Sequence, residues 1–177
     1  RNMKISFIDN LPKDIPEDLG DREKYERIIL ASEPLDDRTQ ARGVALQILY
    51  EKDLSDHPLN LIVKDRLSQV DLSQELAEFA VRIVAGTYPN IEVIDNYLLK
   101  FAPEWPIDKI AVIDRNIIRM TVWEFAIAQI TPIRVAINES VELAKYFGSD
   151  SSGRFVHGVL GKLSMHIDEI KAAAVLP

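Results

Sequence analysis

The side chains best placed to do chemistry stand together at Arg154 and Phe155, directly after the run Ser149, Asp150, Ser151 and Ser152. That run supplies several oxygen side chains able to cap a new helix. A cation and an aromatic ring at a helix start, where backbone N–H groups favour anions, suit a phosphate or a base. The same residues suit a plain helical hairpin, and their types alone leave both readings open. Other chemistry is sparse. His57, His157 and His166 have no metal-ligand spacing, and no HExxH, Walker loop, GxSxG or GxGxxG occurs. Asp114 with Glu124, or Glu139 with Glu142, are carboxylates of a kind common on charged helices. Asp114, Arg115, Arg119 and Glu124 are better read as ion pairs between helices, because buried polar groups need partners. His157 lies in an apolar helical pattern and reads as an interior histidine. Trp105 and Trp123 read as core, and Asn138 as a hydrogen-bonding partner of a loop or helix end.

The elements that position these residues follow from apolar spacing. Val135, Ala136, Val141, Leu143 and Ala144 form one helical face, and Phe155, Val156, Val159, Leu160 and Leu163 form another. Gly148 between them fits a helix end that needs a left-handed residue. Upstream, a helix starts near Asp36 or Asp37, with Thr39 a second cap candidate, and carries Ala41, Val44, Ala45, Ile48 and Leu49. A second helix holds Leu59, Ile62, Val63 and Leu67. A third, capped by Asp71 or Ser73, holds Leu76, Phe79, Ala80, Ile83 and Val84. Pro89 requires a kink near Gly86–Tyr88 or a fresh helix, since an internal proline costs about 3 kcal/mol. Ile91, Ile94, Leu98 and Leu99 continue the pattern as far as the break FAPEWP at 101–106. A helix from Ile107 to about Ala128 is apolar on more than one face and should be central. Thr131 and Pro132 read as cap and first position of the next helix. No segment alternates with period two. The expected fold is all-α, with about seven or eight helices in two packed bundles of about three. Residues 37–101 make the first bundle and 107–172 the second, within a body of 37–177. Residues 1–36 read as an acidic, proline-punctuated extension that is partly ordered, with an extended piece at 5–11 and a short helix at 21–30 as its candidate elements.

Bulk properties set the class. The chain has 177 residues, 47% of them hydrophobic, enough for a substantial core. It has no cysteine, so disulfides and thiolate metal sites are excluded. No run of about 18 apolar residues is present to span a membrane, and no signal peptide is visible. The net charge is −7 and the pI about 5.0. Nucleic-acid binders usually show a basic footprint. Here any such footprint must be a local patch, effective within a screening length of about 8 Å.

Four stretches together resemble the NusB family of bacterial transcription antitermination factors: ARGVALQILYEKDL at 41–54, DRNIIRMTVWEF at 114–125, TPIRVAINESVELAKYFG at 131–148 and SSGRFVHGVL at 151–160. The likeness spans about residues 37–170. It implies a NusB-like fold of two three-helix bundles. It also implies binding of boxA-type leader RNA together with ribosomal protein NusE, within the RNA polymerase antitermination complex. Premature termination in ribosomal RNA transcription is thereby suppressed. It implies a cytoplasmic protein that is not an enzyme and uses no cofactor or metal. The family's RNA surface maps onto Arg38, Arg42, Gln47, Tyr50, Arg154 and Phe155. Cations for phosphates and aromatic faces for splayed bases agree with that role.

The chain departs from the family pattern in several places. The arginine-rich start is diluted to Arg38 and Arg42, beside Asp36 and Asp37. The usual asparagine before GVL is His157, Gly161 stands where an acid is usual, Pro89 interrupts a long helix, and 36 residues precede the family's usual start. A protein-interaction module of the same fold, homodimeric and with a weakened RNA surface, is the alternative. A NusB-like domain from an RNA-modifying methyltransferase fits poorly, because the chain has no glycine-rich nucleotide-binding βα unit.

Overall fold

Apolar residues recur at helical spacing along most of the chain, and in the computed structural model such stretches wind into helices among the described residues. The structure describes residues 37–176. The extended piece expected at 5–11 and the helix expected at 21–30 lie outside them. The described residues form an all-α fold of eight α-helices joined by short turns, with no strand among them. The helices are α1 (Asp37–Leu54), α2 (Leu59–Ser68), α3 (Gln74–Thr87), α4 (Ile91–Phe101), α5 (Val112–Val122), α6 (Ile133–Phe147), α7 (Ser152–Leu163) and α8 (Ile167–Ala173). None of the described helices is long and apolar enough to cross a membrane. The described residues divide into two compact units, one up to Val81 and one from Arg82, and the cut falls inside α3. The Phe101–Pro106 break lies within the second unit.

In the first unit, α1 has an apolar face at Ala41, Val44, Ala45, Ile48 and Leu49. Its burial goes further, taking in every residue from Ala41 to Tyr50, Arg42, Gly43 and Gln47 included. A helix enclosed on all sides is a core element rather than a surface one. Glu51 ties it to α2: its carboxylate lies 3.4 Å from the guanidinium of buried Arg66 and 3.1 Å from His57 Nδ1. The Lys52 ammonium closes the same turn on the His57 carbonyl at 2.9 Å. Ser73 caps α3, its Oγ accepting the Leu76 N–H at 3.3 Å.

The second unit is built around α5, which packs against α4, α6 and α7. Ile117, Ile118, Met120 and Val122 are fully or almost fully buried along it. Each such side chain contributes roughly 1.5–3 kcal/mol relative to exposure. One unbroken helix was expected from Ile107 to Ala128. Instead a 3-10 turn (Ile107–Lys109) leads through extended Ile110 into α5, which ends in a π-helical turn at Trp123–Ile127. Extended backbone at Ile110 and Ala111 sets the helical start at Val112, and the wider turn closes with the Ala128 N–H on the Trp123 carbonyl at 2.8 Å. Pro89 starts a fresh helix: a 3-10 turn (Tyr88–Asn90) carries it and α4 begins at Ile91. Thr131 does not cap α6. Pro132 takes the cap position, and the Thr131 hydroxyl donates to the buried Glu124 carboxylate at 2.8 Å.

Two glycines are fixed by space rather than by backbone angle. Gly148 was expected to be left-handed, yet its φ of −94° and ψ of −167° are extended. A side chain there would strike the Ser152 side chain and the Ala144 carbonyl oxygen. At Gly86 a Cβ would fall on the Trp123 indole, so the ring takes the space of a side chain there. The interhelical pairing expected of Arg119 is present, with Asp95 of α4 as its partner. Two donors of the guanidinium meet the two carboxylate oxygens at 2.8 and 2.6 Å, a bidentate fork.

Candidate nucleic-acid interface

Arg38 and Arg42 lie one turn apart on α1, and that spacing aims both along one side of the helix. Their guanidinium carbons stand 5.1 and 5.3 Å from the centre of the Phe79 ring, on the early part of α3. Arginine over an aromatic face gains a cation–π attraction. Phe79 thus orders two cations that would otherwise repel each other. Their exposure differs sharply: Arg38 is exposed, whereas Arg42 retains only 4%. Tyr50 and Gln47 are buried as well, at 5% and 2%. The Gln47 side-chain amide nitrogen has no hydrogen-bond partner. An unsatisfied buried donor of this kind costs about 1–3 kcal/mol.

Arg154 and Phe155 occupy the first turn of α7 in the second unit. Arg154 is exposed and Phe155 partly so. The turn before them is held by its own hydroxyls. Ser152 Oγ accepts the Ser149 N–H at 2.8 Å, and Ser149 Oγ lies 3.1–3.2 Å from the hydroxyls of Ser151 and Ser152. These serines therefore shape the loop, and Ser151, at the cap position, makes no side-chain cap bond. The structure brings Arg38 and Arg42 together over one ring, and Arg154 and Phe155 together on one turn. His157, expected inside, is exposed on the outer side of α7. The apolar pattern around it misled because 154, 157, 158 and 161 leave the buried stripe at helical spacing.

Two aromatic residues escaped the sequence reading as parts of a site. The helical pattern of α3 includes Phe79 without giving it a role in a site, and the one signal in the sequence is the i, i+4 spacing of Arg38 and Arg42. Trp105 was assigned to the core, yet it is 46% exposed and its ring meets Phe155 edge-on, with centroids 5.1 Å apart and planes at 71°. Trp123 is core as expected, at 6%. In the same unit its indole borders a cavity of about 480 Å³ with Gly86, Pro89, Arg82 and Lys171 also on the wall. Among the described residues no group of three or more His, Asp or Glu is placed to hold a metal ion.

Comparison with known proteins sets this geometry in context. The family model described as "NusB family" matches residues 39–165. The chain is 42% identical over 137 residues to the transcription antitermination protein NusB of Chloroflexus aggregans, covering 76% of this chain and 89% of that protein. Among solved structures it is similar to T. maritima NusB, with a TM-score of 0.63 and 27% identity over 78% of this chain and 93% of that one. It is also similar to a chain in the crystal structure of the antitermination factors NusB and NusE in complex with double-stranded RNA. There the TM-score is 0.64 at 25% identity, covering 78% of this chain and 98% of that one.

Proposed function

The chain belongs to the NusB family, and from that membership we propose that it is a transcription antitermination factor. In this reading it binds boxA-type leader RNA together with ribosomal protein NusE, joins the RNA polymerase antitermination complex, and suppresses premature termination in ribosomal RNA transcription. It works in the cytoplasm, by binding alone, without catalysis or cofactor. The observation that carries the reading is the 42% identity to an antitermination protein over most of both chains.

The proposed RNA contacts are Arg38, Arg42, Gln47, Tyr50, Arg154 and Phe155. Arg38, Arg154 and Phe155 meet RNA directly, because they are the accessible members. Arg42, Gln47 and Tyr50 contact it only when α1 is uncovered. With a chain charge of −7, few cations face the phosphates, so the protein alone binds RNA weakly and NusE strengthens it.

Titration of a single-stranded boxA-type RNA, with and without NusE, at two salt concentrations tests this. Affinity should fall with salt, with a log–log slope of about −0.7 per phosphate neutralised, and rise with NusE present. Absence of salt-sensitive binding in both conditions would overturn the reading.

A further inference from the structure

We propose that Trp105 is a base-stacking residue of the RNA surface, forming with Phe155 a two-ring corner that takes an unpaired base. The inference rests on the RNA-binding reading above and adds a residue to it.

Trp105 lies in the turn between α4 and the Ile107–Lys109 turn, and nearly half of its surface is open to solvent. Large exposed aromatics that are also held rigid mark binding sites, because the ordering cost has already been met. This turn is held from four sides. Pro103 and Pro106 restrict the backbone. The Trp105 N–H donates to the Ala102 carbonyl at 3.0 Å. The Lys162 ammonium on α7 donates to the Glu104 carboxylate at 2.9 Å, tying the turn to the helix that carries Arg154 and Phe155. The Phe155 ring then meets the indole at 71°. Two rings set nearly perpendicular leave one face free to stack and one edge to flank whatever stacks there. Every nucleobase has a π-face, so such a corner favours unpaired bases without choosing strongly among them. The neighbouring Arg154 supplies a cation for the adjoining phosphate, and Lys162 neutralises Glu104, which would otherwise repel it.

The test uses the full chain, single-stranded boxA-type RNA and the variants Trp105→Ala, Trp105→Phe and Arg154→Ala. Trp105→Ala should weaken RNA binding about tenfold with an unchanged salt slope, Trp105→Phe should retain most of the affinity, and Arg154→Ala should flatten the salt slope. Indole emission of a Trp123→Phe protein, which keeps Trp105 as its one tryptophan, should be quenched on RNA addition, a readout that stands even if Trp105→Ala fails to fold. Two results would overturn the proposal while leaving the RNA reading intact. In one, RNA binding is unchanged in Trp105→Ala. In the other, that variant loses affinity for NusE alone. If the unmodified protein binds no RNA with or without NusE, the functional reading falls and this inference with it.

Discussion

At the scale of single residues, the placement of small side chains and charges governs what the surface can present. Gly86 lies under the Trp123 indole with no room for a methyl group. Gly86→Ala should therefore destabilise the protein by about 2 kcal/mol through overpacking, lowering Tm by roughly 5 °C in a thermal melt. Glu104 offers a different lever. A backbone hydrogen bond at Glu104 itself, then the Lys162 ammonium, hold its carboxyl below the ordinary glutamate value of 4.5. Its folded-state pKa is depressed, so its contribution is complete above the unfolded value and disappears as pH falls through the folded one. In a Trp123→Phe background, where Trp105 is the one tryptophan, emission should accordingly be constant from neutral pH down to the carboxylate range and change below it. Glu104→Gln should remove that acid step; a step of unchanged size in the variant would refute this account. Arg154 and Arg38 were legible as surface cations from sequence. His157 and Trp105 were not, because an apolar neighbourhood in sequence does not say which side of a helix or turn faces water.

Among the elements, α5 decides the second unit. It reads as central from its apolar residues alone, and it is buried along its length. The partner of Arg119 could not be read in the same way. The sequence offered Asp114 and Glu124 nearby, whereas the fork closes on Asp95, twenty-four residues away on α4. Arg119→Ala should leave a partly buried carboxylate unpaired and destabilise by about 3 kcal/mol, read as a lower midpoint in urea. Asp95→Asn, which keeps the shape and one acceptor, should cost less. The α5 terminus was also hidden. A π-turn differs from an α-turn by one inserted residue, and apolar spacing over five residues cannot resolve that difference. Phe79 shows the same limit in α3: its period assigns it to an inward face, but not to a place beneath two guanidinium groups.

For the whole molecule, the relation between charge and function matters most. A chain of net charge −7 that binds RNA must do so through a few local cations. Arg42→Ala and Phe155→Ala should each weaken binding of boxA-type RNA in a titration, with circular dichroism spectra unchanged. Phe155→Ala acts through a lost stacking face and should cost about tenfold in affinity. Arg42→Ala also removes a cation from over Phe79, so its melting temperature should drop by a few degrees, which Phe155→Ala at a partly exposed position should not match. Unchanged affinity in both variants would move the RNA surface elsewhere.

Helical periodicity, caps and prolines determined the all-α class, the existence of most helices and an interruption at Pro89, which the tertiary structure resolved as a fresh helix. Long motifs such as VAINESVELAK determined the family likeness, because local pattern and local chemistry suffice for both. Only the tertiary structure decided that α1 is closed on every side from Ala41 to Tyr50, which carboxylate Arg119 meets, why Gly86 and Gly148 must be small, and that Trp105 stands open beside Phe155. Each of these depends on residues distant in sequence competing for the same space, and burial is a property of that packing rather than of any single segment.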